Sequence, residues 1–394
     1  MNLLSGAREW SSRPLLIALI GTLAAFACQV LTVRYNYGGN WTGLFCAGDR
    51  YPDPPSALAA ENIYRFRNSF GYDGQSYHTI AHDPFVRRGF QTAIDAPRFR
   101  YRRILVPLVA WTLAGGKDRY IDLAYYATTL AVVFLGAWWT AMVVRYHGVH
   151  PAWALLYFFT AAVIGALDRM LVDAALLAAI AGMIFYAGRQ KWAMVFVLSA
   201  AAGLSRESGL LVVGALCAWL VFEKRYKLAV IMEFAALPAL AWYRYLSART
   251  PPVPDSFLSL VPFSGYVHRI FTPARYNDIP IVNIASTLAD YAALLSLGWA
   301  VVYAAIHVRE WIRTLHGWIG FASIALLAVV STPAVWVDPY GYTRGFSPLL
   351  YVVAIDALRT RSSIATAPLM LMAPRIGLLV IGQVPGILRG VGGL

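Results

Sequence analysis

Residues 14–33 read PLLIALIGTLAAFACQVLTV, a run without a charged side chain. An α-helix rises about 1.5 Å per residue, so this run spans about 30 Å, the thickness of a membrane's hydrocarbon core. Inside lipid every backbone N–H and C=O needs a partner within the chain, which makes such runs helical. The whole chain is 59% hydrophobic and only 13% charged, whereas about 25% of residues are charged in soluble domains. The sequence therefore predicts an all-α polytopic membrane protein.

Further apolar runs recur to the end of the chain. They cover residues 104–116, 121–145, 151–167, 171–187, 192–204, 208–222, 228–246, 281–306, 317–332, 346–358 and 366–388. Together they predict one integral membrane domain over residues 1–394, a bundle of about 11–12 transmembrane helices.

Short basic segments set the expected orientation. Arg8 and Arg13 precede the first run, so its start is predicted to be cytoplasmic, because Lys and Arg concentrate in cytoplasmic loops. Three polar segments are then predicted to be exoplasmic: residues 34–103, 247–280 and 333–345. The first of these, called the first loop below, is too polar to cross, and parts of it are expected to lie at the interface as short amphipathic helices.

The helix count in the first half of the chain conflicts with this orientation. Six full crossings between residues 104 and 222 would place the basic segment 223–227 outside. One run is therefore expected not to cross, and the best candidate is 151–187, which Asp168, Arg169 and Asp173 interrupt. A single crossing there, as a broken or re-entrant pair, puts residues 117–119 and 188–192 on the cytoplasmic side. The sequence leaves open whether this interval crosses once or twice.

Charge and cysteine content argue against several classes of protein. The formal net charge is +13, but much of the basic charge lies in short loops between apolar runs, so no nucleic-acid partner is predicted. Cys28 and Cys217 fall in apolar runs and only Cys46 in a polar one, which supports neither a disulfide framework nor a zinc motif. No small-residue cleavage site follows the first run closely, so that run is expected to be a retained anchor.

The first loop contains the most distinctive polar stretch, FGYDGQSYHTIAHDPF at residues 70–85. Asp73 is the leading catalytic candidate, because a carboxylate held near apolar surface can act as a general base. Gly74 permits close approach of the backbone to a ligand. An ordinary Asp-Gly turn is the alternative reading. The same stretch offers candidate substrate-binding side chains: Gln75, Tyr77, His78, His82 and Asp83.

Arginines are the candidate ligands for a phosphate, since a guanidinium offers two parallel hydrogen bonds to it. Arg206 and Arg344 each interrupt an apolar stretch, where an unpaired cation would be costly. Four more precede the run at 104–116: Arg98, Arg100, Arg102 and Arg103. Anchoring at lipid headgroups is the alternative role for the arginines, and Arg206 can instead pair with an acid.

Acidic residues beside these arginines complete the candidate set. Asp168, Asp173 and Glu207 either hold a donor or acceptor sugar or neutralise Arg169 and Arg206. His78 and His82 stand four residues apart and share one face of a helix, a spacing compatible with a metal. No third ligand is specified, so the sequence assigns no metal ligands and no cofactor, although a divalent metal stays conceivable.

Several short motifs resemble the GT-C superfamily of polytopic membrane glycosyltransferases, and in particular bacterial proteins implicated in forming cell-surface glycopolymers. The motifs are YDGQSYHTIAHDPF followed by RYRRILVPLVAW, LDRMLVDAAL (167–176), GLSRESGLL (203–211) and YTRGFSPLL (342–350). GPI mannosyltransferases are more distantly similar, with an acidic residue, an aromatic residue and Ile-Ala in their first luminal loop. Here that pattern corresponds to Asp73, Tyr77, Ile80 and Ala81.

The resemblance implies an inverting glycosyltransferase of the bacterial cytoplasmic membrane whose active site faces the exterior or periplasm. The donor would be a polyprenyl-phosphate sugar and the acceptor a glycan or lipid-linked glycopolymer, with envelope-biosynthesis proteins as possible partners. Asp73 would deprotonate the acceptor hydroxyl. The sequence departs from the pattern because many GT-C enzymes have two adjacent acidic residues, whereas Tyr72 and Gly74 flank Asp73. Asp83 or Asp168 would have to supply a second carboxylate.

Two other functional classes fit the same composition. A transporter or flippase for a lipid-linked precursor would also need arginines and an apolar cavity. Such proteins often carry internal repeats, and no repeat of 20 to 50 residues is visible in this sequence. A non-catalytic scaffold of a cell-envelope assembly complex is the other alternative.

Overall fold

Nearly all regular structure in the chain is helical. A computed structural model describes residues 3–252, 258–276 and 279–392, with side chains described from residue 14 onward except at position 334. Residues 253–257 and 277–278 of the predicted second loop therefore lie outside the described part. Two short strands, β1 (Ala47–Gly48) and β2 (Arg65–Phe66), pair in parallel within the first loop.

The α-helices follow one another with short connections. The first ten are α1 (Leu3–Asn36), α2 (Asp73–His82), α3 (Pro97–Tyr101), α4 (Leu105–Leu113), α5 (Asp118–Tyr146), α6 (Ala161–Arg169), α7 (Asp173–Ala187), α8 (Trp192–Ser205), α9 (Ser208–Phe222) and α10 (Tyr226–Glu233). The next ten are α11 (Leu237–Ser247), α12 (Ser264–Phe271), α13 (Pro280–Ile306), α14 (Val308–Trp311), α15 (Leu315–Val329), α16 (Pro333–Val337), α17 (Pro339–Gly345), α18 (Ser347–Thr360), α19 (Ser363–Ile381) and α20 (Val384–Gly392). Short 3₁₀ helices cover Trp41–Phe45, Ser56–Glu61, Phe90–Ala93, Pro151–Phe159 and Phe234–Ala236.

Long apolar helices confirm the prediction of an all-α membrane protein. Among the described residues, four helices are long and apolar enough to cross a bilayer: Pro14–Asn36 within α1, and α5, α13 and α19. A fifth crossing is possible where Pro151–Phe159 and α6 join at a bend of 61°. Apolar helices of 10–17 residues account for part of the remaining predicted spans. The total of 11–12 crossings stays a prediction.

The core lies around α7, whose side chains are nearly all buried. Its sequence is rich in Ala and Gly, which lets neighbouring helices approach closely. At Gly182 an added Cβ would lie 2.6 Å from Leu198 of α8 and 3.0 Å from Trp139 of α5. This close packing holds the N-terminus of α7, and with it Asp173, in a defined place.

The run at 104–116 does not cross the bundle, contrary to expectation. Helix α4 has nine residues and is about 14 Å long, less than half the hydrocarbon thickness. Both of its flanks also contact the first loop: Arg103 donates to Tyr77, and Asp118 pairs with Arg88. The segment 117–119 therefore lies beside the first loop, and its predicted placement at the opposite end is wrong.

The interval 151–187 passes along the bundle twice, first as the bent pair of Pro151–Phe159 and α6 and then as α7. Its single crossing of the membrane stays a prediction. At the junction of α6 and α7, the Arg169 guanidinium lies 3.3 Å from Cys46 of the first loop. The segment after α7 lies at the other end, where Trp192 packs on Trp219 and under Arg225. Because α4 does not cross, the basic segments 188–192 and 223–227 fall at the same end of the bundle. The counting conflict came from α4.

A buried ion-pair network joins the predicted second and third loops to the long helices. Asp290 of α13 pairs with Arg269 of α12 and lies 3.2 Å from Arg375 of α19. The hydroxyls of Tyr276 and Tyr342 donate to the same carboxylate at 2.5 and 2.7 Å. Two arginines and two tyrosine hydroxyls thus surround this one buried acid, which gives it a structural role.

We expect Asp290→Ala to destabilise the fold by about 3–5 kcal/mol, because it leaves two buried guanidinium groups without their counter-ion. The midpoint of thermal unfolding in detergent measures this. Asp53→Ala is the matched control: Asp53 pairs with Arg65 at 2.5 Å but its side chain is 87% exposed. Exposed pairs contribute about 0–1 kcal/mol, so equal shifts for both variants would contradict the structural role of Asp290.

Candidate functional site

Helix α2 places the polar stretch 70–85 of the first loop against the bundle. It begins at Asp73, after Tyr72 in an extended conformation, and all ten of its residues are buried. Gly74 makes this docking possible, since an added Cβ would lie 2.1 Å from the carbonyl oxygen of Arg169 and 2.7 Å from that of Phe45. The close approach predicted for this glycine is thus to the chain's own backbone.

We expect Gly74→Ala to displace the start of α2 and to cost about 1–3 kcal/mol, because backbone atoms cannot yield as a flexible side chain can. Thermal unfolding in detergent measures the loss. Gly214→Ala in α9 is the control, since an added Cβ there meets nothing within 4 Å and alanine favours a helix. A Gly74→Ala protein as stable as the wild type would show that the predicted overlap does not exist.

Asp73 lies in a buried group of opposite charges. Its carboxylate pairs with Arg344 of α17 and, at 2.5 Å, with Arg100 of α3. Only 9% of Asp73 and 7% of Arg344 is exposed. Burial raises the pKa of Asp73, but the charges of Arg344 and Arg100 outweigh it and hold that pKa well below its ordinary value. The carboxylate is therefore ionised at neutral pH.

Asp173 extends this group towards the membrane helices. It stands at the N-terminus of α7, pairs with Arg206 and lies 3.2 Å from Arg344. Arg344 thus bridges two carboxylates that are 100 residues apart in the sequence. Arg206 is held by the break between α8 and α9, where its backbone is extended.

A third ion pair adjoins the first two. Arg103 is 3% exposed and donates to Glu207 and to the hydroxyl of Tyr77, both at 3.1 Å. We call the whole set the Asp73 cluster: Asp73, Tyr77, Arg100, Arg103, Asp173, Arg206, Glu207 and Arg344.

The Asp73 cluster holds four arginines and three carboxylates, and the half-exposed Asp95 supplies a fourth carboxylate at 2.9 Å from Arg100. Buried polar atoms remain without a hydrogen bond, among them Nε of Arg344 and Oε1 of Glu207. A buried guanidinium with an unused donor suits an anionic ligand.

A small, mostly apolar cleft opens beside the Asp73 cluster. It is lined by helices α7, α9, α15, α17 and α18, through Leu176, Ser208, Leu211, Val212, Ala322, Ser323, Leu326, Gly345 and Pro348. Gly345 directly follows Arg344, and an added Cβ on it would lie 3.9 Å from the guanidinium of Arg206. The cleft therefore adjoins both arginines.

Two predicted phosphate ligands lie elsewhere. Arg98 donates to the backbone carbonyls of Ser247 and Thr250, so it ties the first loop to the end of α11. Arg102 lies over the ring of Tyr243 at 5.2 Å. Neither contacts Asp73, and neither reaches the cleft.

Three predicted substrate-binding residues also have structural partners. Gln75 accepts from the N–H of Gly48 and donates to the carbonyl of Phe70. Asp83 ends α2 and accepts backbone N–H groups of the following turn at 2.7 and 2.9 Å. Asp168 accepts from Gln383 at 2.9 Å and lies 3.4 Å from Arg169. Asp83 and Asp168 therefore do not supply a second carboxylate beside Asp73.

His78 and His82 lie on the face of α2 that is opposite to the face carrying Asp73. Both contact Glu61 and Asp122, which the sequence did not indicate as site residues. Glu61 lies 17 residues before His78 and Asp122 lies 44 residues after it. No local sequence motif links residues so far apart, so the sequence could not reveal this group. Tyr72 was likewise passed over, and its hydroxyl donates to Asp338 beside Arg344.

Fold and site together define an all-helical membrane protein with a buried, arginine-rich ionic cluster at one end of the bundle. No protein-family model, curated protein or solved structure matches the chain. The geometry of the Asp73 cluster therefore carries the proposed activity.

Proposed function

We propose that the protein transfers a sugar from a polyprenyl-phosphate donor to a glycan or lipid-linked acceptor, with inversion and with Asp73 as general base. One observation carries the proposal: Arg344 bridges Asp73 and Asp173 beside an apolar cleft that also adjoins Arg206. A base, phosphate ligands and a site for a lipid tail thus lie within one group of residues.

Arginine geometry supports binding of the donor phosphate. Arg206 and Arg344 both pair with Asp173 on the cleft side of the cluster. A phosphate monoanion or dianion can take the place of a carboxylate as the partner of these guanidinium groups, with two hydrogen bonds from each. The same positive charge would stabilise the phosphate as it departs.

Asp73 is suited to the proton transfer once a phosphate is bound. Arg344 and Arg100 now lower its pKa and make it a weak base. When Arg344 turns to the phosphate, part of this positive charge is neutralised and the basicity of Asp73 rises towards the useful range. The carboxylate then takes the acceptor's hydroxyl proton, the oxygen bonds to the anomeric carbon, and the bond from that carbon to the phosphate breaks.

The apolar cleft supports a lipid-linked donor over a soluble one. Its lining is mostly aliphatic, with Ser208 and Ser323 as the hydroxyl-bearing exceptions. An isoprenoid chain would gain about 25 cal/mol per Å² of apolar surface that it buries. The released polyprenyl phosphate would remain in the membrane, which explains why the site is built from membrane helices.

Basic segments support an exoplasmic orientation of the Asp73 cluster. Contacts such as Phe222 with Trp318 and Arg359 with Glu310 gather the segments around residues 223–227, 307–316 and 359–361. These segments lie away from the first loop and carry the Lys and Arg that mark cytoplasmic ends. We place the active site on the outer face of a bacterial cytoplasmic membrane.

A transfer assay tests the proposed function. The purified chain in lipid nanodiscs is incubated with polyprenyl-phosphate monosaccharides and candidate glycan acceptors, and the products are separated by mass. Release of polyprenyl phosphate with a glycan heavier by one sugar and of inverted anomeric configuration supports transfer. Movement of the intact donor across liposome membranes, without sugar release under any acceptor, would instead support the flippase alternative.

A further inference from the structure

We propose that Glu61, His78, His82 and Asp122 bind one zinc ion that holds α2 to the start of α5. This histidine cluster lies outside the Asp73 cluster and is independent of sugar transfer. It joins three separate elements: the 3₁₀ helix Ser56–Glu61, helix α2 and helix α5. The four donor atoms all lie within 4.8 Å of one another.

Distances in the histidine cluster approach those of a tetrahedral site. His78 Nε2 lies 2.8 Å from Asp122 Oδ1 and 3.4 Å from Glu61 Oε2. His82 Nε2 lies 3.4 Å from Glu61 Oε1 and 3.9 Å from Asp122 Oδ1. Zinc binds nitrogen and oxygen ligands at about 2.0–2.2 Å, which places tetrahedral donors roughly 3.4 Å apart. The four separations lie on both sides of that value, but they involve both oxygens of Glu61, and the donor atoms lie up to 4.8 Å apart. The side chains would therefore have to draw closer to bind one ion.

Unsatisfied buried atoms point into the centre of the cluster. His82 is 1% exposed, and its Nε2 has no hydrogen-bond partner. Glu61 Oε2 is also buried without a hydrogen bond. Leaving a buried acceptor or donor unpaired costs about 1–3 kcal/mol. A cation would satisfy both atoms at once.

The second nitrogen of His82 is already held in the way metal-binding histidines require. Its Nδ1 lies 2.9 Å from Asp118 Oδ1, and Arg88 fixes that carboxylate with contacts of 2.7 and 2.9 Å. A carboxylate on the far nitrogen orients the ring and strengthens the near nitrogen as a ligand. Nε2 is thereby left free and directed at Glu61 and Asp122.

The charge of the cluster favours a divalent cation. Two carboxylates neutralise the charge of the ion, and both histidines bind as neutral rings. The ring of Phe45 lies 4.3 Å from that of His78 and 5.5 Å from that of Tyr126, forming an apolar wall. Four protein donors of nitrogen and oxygen type suit structural zinc, which completes its coordination with the protein alone.

Metal analysis of the full chain tests this site. The detergent-purified protein is stripped with a chelator, equilibrated with zinc and desalted, and bound zinc is measured by mass spectrometry. We expect one zinc per chain, and cobalt in its place should give the absorption bands of a four-coordinate ion. Glu61→Gln with Asp122→Asn should weaken zinc binding more than about 100-fold, and Asp118→Asn alone about 10- to 100-fold.

A matched histidine variant and thermal unfolding complete the test. His268 is exposed on α12, so His268→Ala should bind zinc as the wild type does. Zinc should raise the midpoint of thermal unfolding for wild type and for His268→Ala, but not for the Glu61→Gln, Asp122→Asn double variant. A stripped wild type that takes up less than a tenth of an equivalent would overturn the proposal, because the cluster would then be an ion-pair network only. Equal zinc affinity in the double variant would overturn it as well.

Discussion

Asp73→Asn is expected to lower the rate of sugar transfer by about 10²- to 10⁴-fold, the usual contribution of a general base. Asparagine has nearly the same shape, and its one amide oxygen can accept from one of the two arginines that now pair with Asp73. Arg344 keeps Asp173 and Arg100 keeps Asp95 as a counter-ion. The chain should therefore fold and still bind the donor. Rates with a polyprenyl-phosphate sugar, measured alongside donor binding, separate lost chemistry from lost binding.

Asp95→Asn is the matched control for this substitution. Asp95 also pairs with Arg100, at 2.9 Å, but its side chain is 50% exposed and does not contact Arg344. We expect its rate to stay within a few-fold of the wild type. If Asp73→Asn were equally active, Asp73 would be a structural partner of the arginines and the base would have to be another group.

Arg344→Met is expected to abolish transfer and to destabilise the fold by about 3–5 kcal/mol, because two buried carboxylates lose their shared counter-ion. Asp73 and Asp173 are 9% and 3% exposed, so water cannot replace the guanidinium. Arg344→Lys keeps the charge but cannot make the paired hydrogen bonds of a guanidinium. We expect this variant to fold and to transfer sugar about 10²-fold more slowly, which an assay of transfer and of thermal unfolding would resolve.

Arg98→Lys serves as the control for the arginine substitutions. Arg98 belongs to the same basic segment as Arg100 and Arg103, yet it contacts the end of α11 instead of the Asp73 cluster. Its replacement should leave the transfer rate unchanged. A large loss at Arg98 with none at Arg344 would place the phosphate outside the cleft.

Apolar runs were predictable because membrane thickness dictates a minimum helix length, and α1, α5, α13 and α19 follow it. The prediction that 104–116 crosses the membrane was wrong for a physical reason that is visible in the sequence. Gly115 and Gly116 adopt positive φ values of 59° and 69°, which end the helix early, and the run is too short to cross the hydrocarbon core. Treating it as a full crossing produced the counting conflict that the single crossing of 151–187 was meant to resolve.

Sequence patterns showed which charged residues belong to the site, but not which residues pair with each other. A buried arginine must have a counter-ion, so Arg206 and Arg344 were marked by their apolar surroundings. Which acid each would contact depends on how α2, α7 and α17 pack, and no local spacing encodes that. Glu61 and Asp122 were missed for the same reason, since they meet His78 only after α2 docks on α5.

A structure of the chain with a bound polyprenyl phosphate would show directly whether the donor binds at the Asp73 cluster. We expect the phosphate within hydrogen-bonding distance of Arg206 and Arg344, with the isoprenoid chain in the cleft beside Gly345. Asp73 should then face the position of the sugar. Density for the phosphate at the opposite end of the bundle, near the basic segments 223–227 and 307–316, would contradict it.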